Sequence, residues 1–170
     1  MKILIASDLH GSEFYTRALI EEADKRKADK ILLLGDLYYH GPRNPLPKGY
    51  APMKVAELLN GNKDRIIAVR GNCDADVDCM ISEFPLCKDV QLFVDGKTWF
   101  CTHGHGFSFD NLPPLPFGAV FLQGHTHVPV YTEKDGILLL NPGSVSLPKE
   151  NSANSFLWYD DEFHACTLAE

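Results

Sequence analysis

The sequence predicts an α/β fold, a sandwich of two packed β-sheets that becomes mixed towards the C-terminus. In the first half, continuous apolar runs alternate with segments of helical periodicity, which favours parallel strands joined by right-handed crossovers. In the second half, short strand-like segments follow one another, and Asp-Gly turns separate some of them. No repeat, low-complexity tract or linker divides the chain, so we expect a single domain over residues 1–170.

The first half is predicted as β-α-β-α-β. Ile3–Ser7 is an almost continuous apolar run, as expected for a strand covered on both faces. Ser12 is a suitable N-cap for the next segment, whose apolar positions at helical spacing are Phe14, Ala18, Leu19 and Ala23. The elements that follow are a helix over Glu13–Arg26, a strand over Lys30–Leu34, a proline-rich loop over Pro42–Pro52, a helix near Met53–Leu59 and a strand over Ile66–Val69.

The second half is predicted to contain only strands. Asp95-Gly96 between the first two of them is a strong hairpin signal, and Asp135-Gly136 marks another turn. The predicted strands are Val90–Val94, Thr98–Thr102, Ala119–Gln123, Val128–Glu133, Ile137–Leu140, Phe156–Asp160 and Phe163–Leu168.

Composition excludes several classes of function. The net charge is −7 with a pI of about 5.4, and no basic stripe is visible, so long nucleic acid is not an expected partner. No apolar run approaches the ~18 residues of a membrane span, and we expect no membrane association. The five cysteines are an odd number without a CxxC pair, which indicates a reducing compartment. We therefore expect a cytoplasmic protein.

Five predicted strands end in polar side chains, usually beside a glycine. In open α/β sheets ligands bind at this edge, and in D-x-H or H-x-H the residues i and i+2 lie on one face. Carboxylate, imidazole and amide groups suit Mn²⁺, Fe²⁺, Zn²⁺ or Co²⁺, and two such ions about 3.5–4 Å apart can clamp a phosphoryl group. The strand ends are Asp8-Leu9-His10, Gly35-Asp36, Gly71-Asn72-Cys73-Asp74, His103-Gly104-His105 and Gly124-His125-Thr126-His127.

In order, the motifs D-L-H, G-D, G-N-C-D, H-G-H and G-H-T-H resemble the pattern of the calcineurin-like metallophosphoesterases. The resemblance spans Asp8–His127 and continues into Asn141-Pro142-Gly143-Ser144. With His40–Pro47, the full chain looks very like the bacterial YfcE-type phosphodiesterases. The resemblance implies the metallophosphoesterase fold, a four-layer αββα sandwich of two packed mixed β-sheets. It also implies a metal-dependent phosphodiesterase that acts on a small phosphodiester.

The same resemblance implies two divalent metal ions per chain, with Mn²⁺ expected and Zn²⁺, Fe²⁺, Co²⁺ and Ni²⁺ as alternatives. Asp36 would bridge the ions together with a hydroxide that attacks phosphorus, and Asn72 would also contact phosphate oxygens. One ion would be held by Asp8, His10, Asp36 and His127. The other would be held by Asp36, Asn72, His103 and His125.

Cys73 departs from the pattern, because many family members have a histidine there that can protonate the leaving oxygen. A thiol is a weak hydrogen-bond donor. Cys73 either only packs beside the metals or restricts catalysis to diesters and good leaving groups, and both interpretations stay open.

Lesser candidates surround this set. Substrate contacts are expected from Tyr38, His40 and His105, with Tyr39 close enough to join them and His105 equally suited to a structural role. Arg43 and Lys48 are candidates for a substrate phosphate. Support for the ligands is expected from Asp74, Asn141 and Ser144.

Three alternatives remain open at this point. The first is a phosphomonoesterase, or a nuclease acting on short single strands. The second is an interaction scaffold, since the retromer subunit of this superfamily resembles the enzymes but serves as an interaction module. The third is a structural-zinc domain, which cysteine-free ligands at strand ends disfavour. A homo-oligomer, a dimer or a tetramer, also stays open, because apolar residues around 107–117 could cover the pocket or form a contact between copies.

Overall fold

The computed structural model describes residues 1–169 and consists of two β-sheets packed face to face, with helices on the outer side of the first. This confirms the predicted α/β class with two packed mixed sheets. The helices are α1 (Glu13–Lys25), α2 (Pro52–Asn60) and α3 (Asp76–Ile81), with one 3-10 turn at Lys63–Arg65. The strands are β1 (Lys2–Ala6), β2 (Lys30–Leu33), β3 (Ile66–Val69), β4 (Leu86–Cys87), β5 (Asp89–Val94), β6 (Lys97–Thr102), β7 (Val120–Leu122), β8 (Val130–Lys134), β9 (Ile137–Asn141), β10 (Ser155–Asp160) and β11 (Phe163–Thr167).

Each sheet has a parallel centre and antiparallel edges. The first sheet has the order β11-β10-β1-β2-β3-β4, in which β1 to β4 are parallel and the last two strands of the chain pair antiparallel. The second has the order β5-β6-β7-β9-β8, with β6, β7 and β9 parallel. Because parallel strands end at the same edge, side chains that follow them converge there.

The main core lies between the sheets. Alternate residues of each strand face it, such as Ile3 and Ile5 of β1 opposite Trp99 of β6 and Leu122 of β7. The other face of the first sheet packs on α1 and α2 in a second core. Burying both faces explains why the first strands read as continuous apolar runs.

Helix α1 begins where its cap predicts, because the Ser12 Oγ accepts a hydrogen bond from the Tyr15 N–H at 3.2 Å. Its buried face is formed by Tyr15, Leu19 and Ala23. Phe14 was expected on that face, but it is 38% exposed and lies under the ammonium group of Lys48. A residue directly before Tyr15 points about 100° away from it around the helix, so both cannot face the core.

Besides the 3-10 turn, two short elements were not predicted. The helix α3 and the strand β4 lie between Asp74 and Asp89, in a segment that the sequence left without assignment. Elements of six and two residues are too short to show a periodic pattern.

The outer face of the second sheet is covered by a loop rather than by a helix. Phe121, Ile137 and Leu139 form this face. The residues that pack on it are Phe107, Phe109, Leu112 and Leu115, whereas Phe117 is 89% exposed. Across residues 1–169, none of the helices has the length and apolar character needed to cross a membrane.

Candidate metal centre

The side chains predicted as ligands come together at one edge of the sandwich, and both sheets contribute. The first sheet supplies the residues that follow β1, β2 and β3, and the second supplies those that follow β6 and β7. The converging side chains are Asp8, His10, Asp36, Asn72, His103, His125 and His127.

The first cluster consists of Asp8, His10 and His127, all of them buried. The Nε2 atoms of the two histidines are 3.2 Å apart. The Asp8 Oδ1 lies 3.6 Å from the Nε2 of His10 and 3.4 Å from that of His127. The three ligand atoms therefore face one small volume.

The second cluster consists of Asp36, His103 and His125, and Asn72 adjoins it. The His103 Nε2 lies 3.2 Å from the Asp36 Oδ2 and 2.9 Å from the Asn72 Oδ1. The same Asp36 oxygen is 3.7 Å from the Nε2 of His10 in the first cluster. Asp36 thus lies between the two clusters, as the family pattern implies for a bridging carboxylate.

Backbone carbonyls fix the tautomers of three histidines. The Nδ1 atoms of His10, His103 and His127 lie 2.7, 2.7 and 2.6 Å from the carbonyl oxygens of Tyr39, Leu34 and Leu147, respectively. A carbonyl can only accept, so each Nδ1 carries a proton and donates it. Each neutral ring therefore presents the Nε2 lone pair to the cluster, which is the state that binds a metal.

The donor set fits divalent cations. In the neutral rings, the Nε2 atoms of His10 and His127 are both acceptors, yet they face each other at 3.2 Å. The buried Oδ1 of Asp8 has no hydrogen-bond donor among the described residues. Acceptors that converge without a donor repel one another unless a proton or a cation lies between them. Nitrogen and oxygen ligands of this kind suit first-row divalent metals.

The pKa shifts of the metal-free protein also indicate that this site favours a positive charge. Burial opposes the ionisation of Asp36, but the hydrogen bond from His103 and its charge outweigh burial and lower the pKa of Asp36 to about 2. Burial likewise opposes protonation of His103, but the hydrogen bond and the charges of Asp36 and Asp8 raise its pKa to about 9. A proton on His103 therefore occupies the position that a metal ion would take.

Five of the seven candidate ligands have left-handed backbone conformations, with positive φ angles. Non-glycine residues rarely adopt this region, and each costs on the order of 1 kcal/mol. These conformations occur in the turns that follow the strands and carry the candidate ligands. The φ angles are 57° at Asp8, 47° at His10, 55° at Asp36, 68° at His125 and 60° at His127.

Two glycines allow the loops that carry the ligands to approach one another. A Cβ atom on Gly71 would lie 2.1 Å from the Asp36 Oδ1, and one on Gly124 would lie 1.9 Å from the Ser7 Oγ. Real Cβ atoms do not come this close to other heavy atoms. Only glycine therefore fits at these positions without displacing the Asp36 or Asp8 loop.

Asp74 joins the loops that follow β2 and β3. Its buried carboxylate accepts hydrogen bonds from the N–H groups of Asp36 at 2.8 Å, Leu37 at 2.8 Å and Gly71 at 2.7 Å. The expected supporting role of Asp74 thus acts through the backbone. Ser144 donates to the carbonyl of Asp8 at 2.9 Å, so the expected support from this residue also has a partner in a ligand loop.

Asn141 supports the loop that follows β7. Its side-chain amide donates to the carbonyl of Gly124 at 2.9 Å and to the hydroxyl of Thr126 at 3.0 Å. These contacts hold the segment between the two candidate ligands His125 and His127.

A pocket of about 770 Å³ opens over the two clusters. Its base includes Asp36, Asn72, His125 and His127. Its walls include two basic residues, Arg43 and Lys149, and one exposed aromatic residue, Tyr39.

The structure places Tyr38 away from this pocket, contrary to the expected substrate contact. The side chain is 2% exposed and packs in the core beside α1 and α2, and its hydroxyl bonds to Ser82 at 2.6 Å. The backbone of Asp36 has a positive φ, so the alternation of an extended strand no longer applies after it. The neighbouring Tyr39 lines the pocket instead.

The other lesser candidates, His40, His105 and Lys48, do not line the pocket. His40 packs between the rings of Tyr39 and Tyr50 rather than lining the pocket. His105 is exposed, with its ring centroid 5.4 Å from that of His103. Lys48 lies over Phe14, 3.7 Å from the ring centroid, and is not part of the pocket wall.

Lys149 was not singled out from the sequence. It lies in a loop after β9 without a recognisable motif, and only the path of the chain brings it beside the pocket. A single basic residue in a loop gives no sequence signal that distinguishes it from a solvated one.

Cys73 lines the pocket next to Asn72. Burial raises the pKa of its thiol to about 12, and the negative charge of Asp36 adds to this effect. The side chain is therefore a neutral thiol, and its backbone N–H donates to the Asp36 Oδ1 at 2.8 Å.

Comparisons with known proteins agree with this geometry. Residues 1–162 match the family model of the calcineurin-like phosphoesterase superfamily domain. The chain is 45% identical to phosphodiesterase YfcE of Escherichia coli strain K12 over 163 residues, which cover 95% of this chain and 89% of YfcE. It is 30% identical to phosphodiesterase MJ0936 of Methanocaldococcus jannaschii, with 84% and 83% of the two chains covered.

Solved structures show the same relationship. The structure of YfcE, a phosphoesterase from E. coli, matches with a TM-score of 0.93 at 44% identity over 95% of this chain and 89% of YfcE. Vps29 from Entamoeba histolytica matches with a TM-score of 0.67 at 16% identity over 97% and 91% of the two chains. At that identity the likeness to Vps29 concerns the fold alone.

Proposed function

Because this chain belongs to the calcineurin-like phosphoesterase superfamily, we propose that it is a metal-dependent phosphodiesterase with two metal ions in its active site. The observation that carries the proposal is the convergence of histidine Nε2 lone pairs and carboxylate oxygens in two adjacent clusters joined by Asp36. The phosphodiesterase activity that the names of YfcE and MJ0936 state supports the same assignment.

The residues divide into two ligand sets. Asp8, His10 and His127 would hold one ion, and Asp36 would contribute to both. The second ion would be held by Asp36, Asn72, His103 and His125. Two such cations activate water for attack on phosphorus and neutralise the negative charge that develops on the phosphate oxygens.

The charges at the site favour a monoanionic substrate. Two aspartates contribute −2 against +4 from two divalent ions, which leaves +2 for a phosphodiester and a hydroxide. Asn72 is exposed and lines the pocket, which supports the proposal that its amide group contacts a phosphate oxygen. A small phosphodiester is therefore the proposed substrate.

Cys73 supports the preference for diesters over ordinary monoesters. Its thiol is neutral, with a pKa raised to about 12 by burial and by Asp36, and a thiol is a weak hydrogen-bond donor. The pocket thus lacks a strong acid at this position to assist a poor leaving group. Diesters with good leaving groups need this assistance least.

We propose Mn²⁺ as the metal, on the basis of the family resemblance and a ligand set without a thiolate. Nitrogen and oxygen ligands also accept Zn²⁺, Fe²⁺, Co²⁺ and Ni²⁺, and metal supply decides among them. All five cysteines are free, which supports a cytoplasmic location. The two sheets share one core, which supports a single domain.

The decisive experiment compares hydrolysis of bis(p-nitrophenyl) phosphate and p-nitrophenyl phosphate by metal-stripped protein, without metal and with added Mn²⁺. We expect turnover only with metal and a clear preference for the diester. His127→Ala should abolish this turnover, whereas His164→Ala should not, because His164 is exposed and pairs only with Asp160.

The alternative of an interaction scaffold has one observation in its favour, the fold that the chain shares with Vps29. Folded protein that shows no turnover with Mn²⁺, Co²⁺, Ni²⁺ or Zn²⁺ would favour the scaffold. A higher rate on the monoester than on the diester would favour a phosphomonoesterase.

A further inference from the structure

We propose that Arg43 and Lys149 bind a second phosphate group of the substrate, beside the first metal cluster. The natural substrate would then be a small phosphodiester that carries an additional phosphate. This inference rests on the proposed function for the identity of the reacting group. The second phosphate itself is inferred from the pocket.

The two basic residues are unpaired in a pocket of an otherwise acidic protein. The net charge of the chain is −7, yet both Arg43 and Lys149 line the pocket over the metal clusters. None of the ion pairs among residues 1–169 involves either side chain. The one carboxylate in the described pocket wall is Asp36, which faces the clusters. Positive charge at the wall is therefore free for a ligand.

Both loops that carry these residues accept hydrogen bonds from histidines of the first metal cluster. The carbonyl of Tyr39 accepts the Nδ1 proton of His10 at 2.7 Å, and the chain then turns through Gly41 to Arg43. The side chain of Asn44 fixes this turn by donating to the carbonyl of His40 at 2.9 Å. Arg43 therefore extends from a loop that begins at Tyr39, and the carbonyl of Tyr39 orients the candidate ligand His10.

The loop of Lys149 is tied in the same way. The carbonyl of Leu147 accepts the Nδ1 proton of His127 at 2.6 Å, and the Lys149 N–H donates to the carbonyl of His127 at 3.2 Å. Two residues of chain span at most about 7 Å, so the start of the Lys149 side chain is close to this ligand. His10 and His127 belong to one cluster, so Arg43 and Lys149 extend from separate loops that both contact that cluster.

The reacting phosphate is proposed to bind at the clusters. A diester such as bis(p-nitrophenyl) phosphate has no second charged group that Arg43 and Lys149 could bind. An arginine and a lysine together form a strong site for a phosphate, the arginine through paired N–H donors and the lysine as a point charge. The pocket of about 770 Å³ has room for a nucleotide-sized molecule.

The test measures binding of thymidine 5′-phosphate and thymidine 3′,5′-bisphosphate to the Mn²⁺-loaded protein by calorimetry. We expect the bisphosphate to bind roughly tenfold or more tightly than the monophosphate, because charge-assisted contacts contribute on this scale. In the double variant Arg43→Gln/Lys149→Gln this ratio should fall to about one to two. The monophosphate affinity of each variant serves as its internal standard and shows that the site is folded.

Lys48→Gln is the matched control. Lys48 lies in the same proline-rich loop as Arg43, but its ammonium group packs over Phe14 outside the pocket. It should keep the ratio of the parent. Raising the ionic strength from about 0.01 to about 0.15 M should reduce the ratio in the parent and leave the double variant unchanged.

A ratio near one in the parent, or a ratio that the double variant retains, would overturn the inference. Turnover is measured separately, with the p-nitrophenyl ester of thymidine 5′-phosphate with and without a 3′-phosphate. If the protein binds the bisphosphate more tightly than the monophosphate but hydrolyses neither ester, the second phosphate site is supported and the proposed catalysis is contradicted. If the protein hydrolyses both esters but binds the bisphosphate and the monophosphate equally, the proposed catalysis is supported and the second phosphate site is contradicted.

Discussion

At the scale of single residues, we expect a metal ion and a proton to compete for the Nε2 of His103. In the metal-free protein the pKa of His103 is raised to about 9, because the hydrogen bond and the charges of Asp36 and Asp8 outweigh burial. The ring is therefore protonated at neutral pH, and the metal must displace this proton. Near pH 7 we expect about one proton to be released when the ligand set that contains His103 binds its ion, and the affinity of this set to rise with pH until about 9.

Calorimetric titration with Mn²⁺ in two buffers of different ionisation enthalpy counts these protons. A titration near pH 9 in oxygen-free buffer gives the control, since a large part of His103 should by then be neutral before the metal binds and the proton release should be smaller. Equal proton release at both pH values, or no release at neutral pH, would contradict this assignment.

Asp74 provides a second test, because its carboxylate satisfies three backbone N–H groups in two loops. Asp74→Asn leaves one oxygen for these donors and turns an NH₂ group towards them. We expect the free energy of unfolding to fall by about 1–3 kcal/mol and the affinity for Mn²⁺ to fall by roughly 10- to 100-fold.

Urea unfolding of the metal-stripped protein and calorimetry with Mn²⁺ measure the two effects. Asp76→Asn is the control, because Asp76 forms only a surface ion pair with Arg70 and should change stability by no more than about 1 kcal/mol. Equal effects of both substitutions would show that Asp74 does not hold the ligand loops.

Cys73 is the residue at which we expect a gain of activity. Cys73→His introduces a stronger proton donor in the pocket wall next to Asn72. We expect the variant to hydrolyse alkyl phosphates about tenfold or more faster than the parent and aryl esters at similar rates.

The comparison uses kcat/KM on matched alkyl and aryl substrates. The same substitution at Cys79 is the control, since Cys79 lies in α3 and does not line the pocket. If Cys73→His shows no gain on any substrate with a poor leaving group, the thiol does not limit the substrate range.

The sequence identifies the candidate ligands more reliably than the residues around them. A residue that directly follows a buried parallel strand must lie at the ligand-binding edge, so Asp8 and Asp36 can be placed from the pattern alone. Beyond the strand end, conformation depends on backbone turns such as the positive φ of Asp36. This is why the sequence predicted a substrate contact for Tyr38, whereas Tyr39 lines the pocket. The carbonyls that orient the histidines carry no side-chain signal at all.

At the scale of elements, the close contact between the β2 and β3 loops depends on Gly71. Gly71→Ala would place a Cβ 2.1 Å from the Asp36 Oδ1 and 2.3 Å from the Asp36 N. One loop must move, and we expect a loss of stability of about 1–3 kcal/mol together with loss of metal-dependent turnover.

Gly61→Ala is the matched control at the end of α2. Its φ is −62°, and an added Cβ would meet its nearest atoms at 3.4 and 3.5 Å. It should be neutral or stabilising by up to about 1 kcal/mol. Thermal unfolding and an activity assay compare the two, and normal turnover by Gly71→Ala would show that the loops adapt to the added atom.

Elements with an apolar run or a helical period could be predicted, and elements without such a pattern could not. The strand β3 has the predicted bounds, and α1 differs from its prediction by one residue at its end. The strand β4 has two residues and is held by pairing with β3, which no local pattern reveals. The loop over the outer face of the second sheet was also unpredictable, since its apolar residues recur without a fixed period.

At the scale of the whole molecule, the candidate metal ligands come from both sheets. Asp8, Asp36 and Asn72 follow strands of the first sheet, and the histidines from His103 to His127 follow strands of the second. Bound metal therefore stabilises the packed sandwich. At a free Mn²⁺ concentration of 100 times Kd, each site should add about 2.7 kcal/mol to the free energy of unfolding.

For a chain of this size, that contribution raises Tm by roughly 5–10 °C per site. Scanning calorimetry with and without Mn²⁺ measures it, and EDTA should reverse it. His127→Ala should lose part of the shift, whereas His164→Ala should keep it all. A Tm that does not respond to Mn²⁺ would contradict metal binding between the sheets.

The division of the ligands between two sheets also fixes when the site can form during folding. The Nε2 atoms of His10 and His127 lie 3.2 Å apart but are separated by 117 positions in the chain. Closing so long a loop is slow, and it requires both sheets to have docked. During synthesis, no complete site can exist before the strand β7 and His127 have left the ribosome. Metal capture is therefore a late event, and its rate in a refolding experiment reports the final docking of the two sheets.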